Sequence, residues 1–301
     1  MKSYTTLRNL YSSLTNDSAS TNLTLGDQLI NDGYRTACGA KDWPFLYKTD
    51  ATMVTTASTQ FKEMPNDVGR LFSVTVANGS NTINPKEAPN EDFWNNLNFS
   101  SYTSDYPEYY FVKNGQLGLW PTPATTSNVI TIYYKKLIRD LSIADYTTGT
   151  VVSVAAAGTA VVGSGTTWAV SMAGRFLRIT ESDTANKGDG FWYEIASSAS
   201  TTTLTLLKPY QGTAISAGAA AYTIGQMPLL PEAYHDLPVL YAVAEYWDIN
   251  NDLNRATQYR NKYELLMKQM SQEFVGRTAN VVIDRGIFDR NIIDPNLFVR
   301  Y

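Results

Sequence analysis

The stretch of residues 109–137 reads YYFVKNGQLGLWPTPATTSNVITIYYKKL and decides the fold class. An Asn-Gly pair at 114–115 separates two short apolar runs and supplies the two positive-φ residues that a tight type I′ hairpin needs. Pro121 and Pro123 end the second run, because proline has no N–H to donate to a neighbouring strand. Residues 129–134 are mostly β-branched or aromatic, which is typical of a third strand. The stretch therefore predicts a three-stranded antiparallel meander.

Helical periodicity marks the segments before and after this stretch. Residues 4–40 predict two helices and residues 237–274 predict two more, because apolar side chains recur every three or four positions. Thr24, followed three residues later by an aspartate, is a capping box that would begin the second helix. Pro238 means that the third helix either begins near Asp236 or kinks. The last helix is expected to pack through Ala256, Tyr259, Tyr263, Leu266, Met267, Met270 and Phe274.

Between these helical segments, residues 45–80 alternate apolar and polar side chains as strands do. Residues 85–100 predict a short helix with Asn90 as its N-cap. Together these patterns predict an α+β fold in which a helical bundle accompanies an antiparallel β-sheet with the meander.

Residues 146–225 differ from the rest of the chain, being rich in Ala, Gly, Ser, Thr and Val and poor in charge. Short strand patterns recur there between glycine-containing turns, as in a small all-β module. Large apolar side chains such as Trp168 supply a core that a disordered linker would not need. We therefore expect an inserted all-β domain at 146–225, within a core domain formed by residues 1–145 and 226–276.

Residues 277–301 follow Gly276, which is expected to end the last helix. They have no helical period, yet apolar groups recur among the charges. Fully extended, such a segment would reach roughly 80 Å. We expect an extended C-terminal arm that binds a neighbouring subunit or another protein through Val281, Ile283, Ile287, Phe288, Ile292, Ile293, Leu297, Phe298 and Tyr301.

Composition narrows the class of protein. Of the 301 residues, 44% are apolar and only 17% are charged, and 20 tyrosines accompany six tryptophans. Tyrosine and tryptophan bury area while keeping a polar group, which suits subunit interfaces or a tyrosine-rich β core. The net charge of −4 does not indicate electrostatic binding of DNA or a membrane. Without an apolar leader or spanning segment, we expect a soluble protein made in the cytosol.

No residue pattern indicates catalysis, a cofactor or a metal. His235 stands at a helix start and is expected to be solvated or to cap the helix, and Cys38 is expected to be a buried thiol. Residues 181–189 offer oxygen ligands, but their spacing matches no EF-hand loop. The basic cluster at 135–139 is too small for duplex DNA and is expected to face solvent or an acidic partner. We therefore expect that the protein is not an enzyme.

The order of elements carries a family resemblance. Two helices lead to Trp43-Pro44-Phe45, then to strands, to the GLWPTP segment at 118–123, and to a helix pair after Leu230-Pro231-Glu232. This resembles the head-to-tail adaptor proteins of tailed bacteriophages, also called connectors or tail tubular protein A-like proteins. The resemblance covers residues 1–145 and 226–301.

The resemblance implies a structural virion protein of the neck or tail, made in the host cytoplasm. Such adaptors form a ring, usually a dodecamer, below the portal protein. Their helical part and C-terminal arm engage the portal, their β part meets the nozzle or another tail protein, and DNA passes through the channel without specific binding. Tail fibres are an additional candidate partner, and no membrane is involved.

A second class of function is a carbohydrate- or receptor-binding virion protein that acts through the inserted β domain. Trp168, Trp192 and Tyr193 would stack on sugars in that case, whereas they belong to the core of the domain under the adaptor interpretation, which we favour. A third class, a tail-associated hydrolase, would need a paired acid site that the sequence does not show.

Overall fold

The structure, a computed structural model, describes residues 1–99, 102–181 and 188–275. The predicted arm at 277–301 lies outside the described residues, as does Gly276. Contacts divide the chain into two compact units, each described by itself. We call Met1–Lys41 together with the chain from Asp140 onwards the helix-barrel unit, and Asp42–Arg139 the sandwich unit.

Helices and antiparallel sheets are both present, so the predicted α+β class is confirmed. The helices are α1 (Tyr4–Thr15), α2 (Ser20–Gly39), α3 (Glu91–Leu97), α4 (Leu237–Ile249) and α5 (Leu253–Phe274). The strands before residue 140 are β1 (Tyr47–Val54), β2 (Phe61–Glu63), β3 (Val68–Asn78), β4 (Asn81–Ile83), β5 (Lys86–Glu87), β6 (Tyr109–Lys113), β7 (Gln116–Trp120) and β8 (Val129–Lys136). The strands after it are β9 (Thr150–Val154), β10 (Ala160–Ser164), β11 (Phe176–Ile179), β12 (Trp192–Ser200), β13 (Thr203–Leu206), β14 (Ile215–Ala220) and β15 (Tyr222–Gly225).

The first two helices form as predicted, but α2 begins earlier than the capping box suggests. The Asp17 carboxylate accepts the main-chain N–H of Ala19 at 3.0 Å, so the chain turns directly after α1 and Thr24 lies inside α2. Asp27, the other member of the expected box, instead forms an ion pair with Arg8 at 2.9 Å.

The last two helices confirm one of the alternatives at Pro238. Helix α4 begins at Leu237, so Pro238 occupies the first turn, where a missing N–H costs nothing. The carboxylate of Asp252 accepts the N–H of Arg255 at 3.1 Å and caps α5. On the predicted face of α5, Ala256 and Met270 are buried and the other five side chains are half-buried.

Residues 150–225 build one seven-stranded antiparallel sheet in the order β14-β9-β10-β13-β12-β11-β15. Strands β14 and β15 are separated by Ala221 alone, so one nearly continuous strand supplies both ends of the sheet. The two ends of the sheet are thus joined by the chain itself, as in a small barrel. The sequence carries no strand signal for β14, because ISAGAA lacks large side chains that would reveal an alternation.

A buried hydrogen-bond chain fastens the barrel core. The Trp168 indole N–H donates to the Tyr222 hydroxyl at 2.9 Å, and that hydroxyl donates to the carbonyl oxygen of Thr148 at 2.5 Å. The core otherwise consists of Val151, Val154, Val161, Met172, Leu177, Ile179, Tyr193, Ile195, Leu204, Leu206, Tyr210, Ile215, Ala220 and Ile224.

Side-chain amides hold the segment that leads into the barrel. The Asn31 amide donates to the carbonyl oxygen of Leu141 at 3.0 Å and accepts the Leu141 N–H at 2.7 Å. The Gln226 side-chain oxygen accepts the N–H groups of Ser142 and Ile143 at 2.8 and 2.9 Å. These bonds satisfy main-chain groups that have no strand partner. The insertion boundaries near Tyr146 and Ile224 stay a prediction.

The sandwich unit contains two four-stranded sheets, β1-β8-β3-β4 and β2-β7-β6-β5, after a 3₁₀ turn at Pro44–Leu46. All their pairings are antiparallel except β5 with β6. Inward side chains of both sheets share one core, formed by Met53, Val74, Val76, Tyr110, Leu117, Leu119, Ile130, Ile132 and Tyr134. Helix α3 packs on the second sheet through Trp94, which stacks on Phe111 at 5.5 Å between ring centroids. Asn90 caps this helix as predicted, by accepting the Phe93 N–H at 2.8 Å.

The predicted meander is correct for the hairpin and wrong for its third strand. Asn114 and Gly115 adopt φ of 52° and 76° between β6 and β7, as the type I′ pattern requires. Strand β8 belongs to the other sheet, where it lies between β1 and β3. Each edge of β7 is already occupied, by β6 and by β2, so β8 cannot pair there.

Candidate functional site

The residues predicted to form the binding arm lie outside the described residues. These are Val281, Ile283, Ile287, Phe288, Ile292, Ile293, Leu297, Phe298 and Tyr301. Their role as an arm is therefore carried forward as a proposal. Ser182, Asp183 and Asn186, which belong to the oxygen-rich stretch at 181–189, also lie outside the described residues. Among the residues that are described, no three His, Cys, Asp or Glu side chains form a group able to hold a metal ion.

His235 is buried rather than solvated, which corrects the expectation from sequence. Its side chain is 1% exposed, because the first residues of the chain cover it. Nδ1 accepts the main-chain N–H of Lys2 at 3.0 Å, and Nε2 donates to the carbonyl oxygen of Leu230 at 2.9 Å. Burial lowers the pKa of His235 below its ordinary value of 6.5, so the ring is neutral near pH 7. This histidine joins the chain start to the segment before α4 and has no free nitrogen for catalysis.

A cleft of about 490 Å³ opens in the helix-barrel unit beside α2. Its carboxylates are paired with guanidinium groups: Asp27 with Arg8, and both Asp32 and Asp140 with Arg35. The Arg35 contacts to Asp32 and to one oxygen of Asp140 are each 2.9 Å. These ion pairs connect α1, α2 and the segment at 140, and no carboxylate of the cleft is left as an unpaired base.

Cys38 is buried in α2, as predicted.

One unusual surface of the sandwich unit is the outer face of β1, β8 and β3, which sequence reasoning missed. We call it the aromatic sheet face. Tyr47, Phe72 and Tyr133 contact each other there, with ring centroids 5.3 to 5.7 Å apart. Phe72 and Tyr133 are 37% and 38% exposed, and Val54 and Val129 are exposed farther along the strands. A signal was available in β8, where both alternating sets of side chains contain apolar residues.

Basic side chains lie at one end of the aromatic sheet face. The Arg70 guanidinium lies over the Phe72 ring, 5.4 Å from its centroid. Lys135, from the predicted basic cluster, lies opposite both Arg70 and Tyr47 in the sheet and forms an ion pair with Asp42 at 2.9 Å. The face therefore combines an aromatic centre with a rim that carries Arg70 and the Lys135–Asp42 ion pair.

A second exposed aromatic feature is the segment Tyr102–Glu108, which we call the tyrosine loop. Tyr102 and Tyr106 are each 55% exposed. The loop is nevertheless fixed by main-chain bonds: the N–H groups of Ser104 and Glu108 donate to Thr122 and Trp120 at 2.9 and 2.8 Å. The tyrosines thus stand on a main chain that hydrogen bonds hold in place.

A family model described as SU10 adaptor protein matches residues 2–178 of the 301-residue chain. The chain belongs to the SU10 adaptor protein family. The match includes α1, α2, the whole sandwich unit and the first part of the barrel. No curated protein matches the chain.

Membership makes this SU10 adaptor family protein a phage adaptor-type structural protein and a component of the virion. Adaptors of this kind interact with other head or tail proteins and are normally not enzymes. Within the part of the chain that the structure describes, no helix is both long and apolar enough to cross a bilayer.

The sugar-stacking alternative is not favoured. Trp168 and Tyr193 are buried in the barrel core. Trp192 is half-buried, with the Arg178 guanidinium 5.8 Å from its ring centroid. The aromatic side chains of the barrel that were considered for stacking therefore serve the core or pack against neighbouring side chains.

Proposed function

We propose that this adaptor is a subunit of the head-to-tail connector, a ring that joins the portal to the tail or nozzle and lines the channel through which DNA leaves the head. The observation that carries the proposal is the SU10 adaptor match over residues 2–178. The order of elements, which resembles that of head-to-tail connectors over residues 1–145 and 226–301, adds the more specific role. The ring is expected to be a dodecamer.

The charge of the chain supports a role at a DNA channel. The net charge is −4, so a ring of such subunits has an overall repulsion toward the phosphate backbone. DNA that must slide through a channel needs weak contacts, because every phosphate neutralised by a fixed cation adds affinity. Specific DNA binding is therefore not part of the proposed function.

We further propose that residues 277–301 form the arm that engages the portal or the neighbouring subunit. Apolar side chains recur along this segment, and burial of such groups contributes about 25 cal/mol per Å². An extended segment can also add main-chain hydrogen bonds along a partner's sheet edge while alternate side chains enter pockets. Both contributions favour docking on a protein surface.

The test uses the portal protein of the phage that encodes this adaptor. The full chain and a chain that stops after Gly276 are each mixed with portal rings and examined by electron microscopy and co-sedimentation. The full chain is expected to add a ring to the portal, and the shortened chain is expected to keep its circular dichroism and fail to bind. A full chain that never binds portal would contradict the connector role. A shortened chain that binds with unchanged affinity would contradict the arm alone.

A further inference from the structure

We infer that neighbouring copies of this adaptor join through their sandwich units, with the tyrosine loop of one copy docked on the aromatic sheet face of the next. This inference rests on the proposed ring and names the surfaces that would build it. Both surfaces belong to the same compact unit, and they differ in composition, so the contact would join two unlike surfaces.

The aromatic sheet face has the composition of the centre of an interface. Its middle carries Thr49, Thr75 and Thr131 between the aromatic cluster and the exposed valines, with the charged residues at the end beside Arg70. Interface centres are depleted of charge and enriched in tyrosine and phenylalanine. A sheet face this apolar, left in water, forgoes the stabilisation that burial would bring.

Charge indicates that the tyrosine loop is the surface that binds the aromatic sheet face. Residues 87–112, which contain the tyrosine loop, include no lysine or arginine. Their acidic residues are Glu87, Glu91, Asp92, Asp105 and Glu108. Asp105 accepts the Thr125 N–H at 2.8 Å and stabilises the loop, and Glu91 pairs with Lys113. Glu108 and Asp92 are exposed and lack a charged partner among the described residues, so they can face Arg70 in the rim of a second copy.

The geometry of the loop suits docking. Tyr102 and Tyr106 project from a segment whose main chain is already fixed, so little conformational entropy is lost when they bind. Tyrosine truncations at the centres of interfaces commonly cost more than 1 kcal/mol. The occupant we assign to the sheet face is therefore a second copy of this chain.

A contact between two different surfaces is heterologous. Each copy uses its loop on one side and its face on the other, so the chain of contacts continues until it closes into a ring. A symmetric contact between two aromatic sheet faces would instead stop at a dimer. The two arrangements give different outcomes when variants are mixed.

The test uses two full-length variants. The face variant carries Phe72→Ser and Tyr133→Ser, and the loop variant carries Tyr102→Ser and Tyr106→Ser. The substituted side chains are 37% to 55% exposed, so both variants are expected to melt near the wild-type temperature. Phe191→Ser, which removes a 68% exposed side chain of the barrel, is the matched control and should assemble as the wild type does.

Native mass spectrometry and sedimentation follow assembly, both of the adaptor alone and on portal rings. Each variant alone is expected to lose the ring, with at least about a tenfold loss of affinity between copies. An equal mixture of the two variants should give a dimer of one face variant and one loop variant and nothing larger, because one intact loop meets one intact face.

Several outcomes would overturn the inference. Rings formed by either variant as readily as by the wild type would show that the surface is not used between copies. A loop variant that dimerises by itself would show that the face binds a second face, and variants that stay monomeric in the mixture would show that the loop and the face do not bind each other. If the wild-type chain binds portal, any of these outcomes leaves the proposed function intact. A wild-type chain that neither forms rings nor binds portal contradicts the inference and the proposed function together.

Discussion

Single polar residues fix the chain of this adaptor family member where secondary structure does not. Asn31 and Gln226 bind the main chain of residues 140–143, and His235 binds the first residues of the chain. None of these roles follows from local sequence, since each bond joins residues more than 80 positions apart. A buried hydrogen bond of this kind adds little to the free energy of unfolding. Removing one partner leaves the other unpaired, which lowers that free energy by about 1–3 kcal/mol.

His235 should make the stability of the fold depend on pH. Its pKa is lowered by burial, so the unfolded chain binds a proton more readily than the folded chain near the ordinary value of 6.5. The stability that neutral His235 contributes to the folded state is fully present above pH 6.5. It is lost as the pH falls below 6.5 toward the lower pKa of the folded protein. Urea unfolding between pH 8 and 5.5 should show this loss, and His235→Gln should show a weaker dependence on pH. An equal dependence in both proteins would mean that His235 does not titrate differently on folding.

Gly33 should be required where α2 meets α4. A Cβ atom at Gly33 would lie 2.8 Å from the Tyr241 Cβ and 2.9 Å from the carbonyl oxygen of Pro238, and a main-chain atom cannot easily move away. Gly33→Ala is therefore expected to destabilise by about 1–3 kcal/mol, although alanine favours a helix. Gly39→Ala, in the last turn of the same helix with open space around it, is the control and should not destabilise. Thermal melting compares the two, and equal effects would contradict the close approach.

At the scale of elements, α5 buries one narrow face and leaves the rest in water. Met270 is fully buried, Leu266 is half-buried and Leu265 is 59% exposed. Met270→Ala should therefore cost about 2–5 kcal/mol in unfolding free energy, and Leu266→Ala should cost less. Leu265→Ala, one position away on the exposed face, should stay within about 0.5 kcal/mol. Chemical denaturation measures all three, and a larger effect at Leu265 than at Met270 would reverse the assigned face.

Over the whole molecule, the proposed boundaries of the inserted domain coincide with a hydrogen-bonded pair. The N–H of Tyr146 donates to the carbonyl oxygen of Ile224 at 2.9 Å, and the N–H of Ile224 donates back to Tyr146 at 2.8 Å. Adjacent ends are what an insertion needs, since a short loop can replace it. Contacts nevertheless place the barrel in the same compact unit as the helices.

Replacement of residues 149–222 by a short Gly/Ser loop should therefore leave a folded remainder. Helix α4 packs against α1, α2 and α5, and α1 also packs against α2. Circular dichroism should retain the helical signal and cooperative melting. Loss of that signal, with the full chain measured in parallel, would show that the barrel is integral to the helix-barrel unit and that the predicted boundary is wrong.

The sequence by itself determined the elements whose causes are local. Helix positions follow from the spacing of apolar residues, the β6–β7 hairpin follows from Asn114-Gly115, and α3 follows from the Asn90 cap. The adaptor resemblance followed from the order of these elements. The tertiary structure decided which strands pair, since β8 leaves the hairpin because both edges of β7 are occupied. It also closed the barrel, buried His235 and left the aromatic sheet face exposed, because each of these depends on residues that are distant in sequence and meet only when the chain has folded.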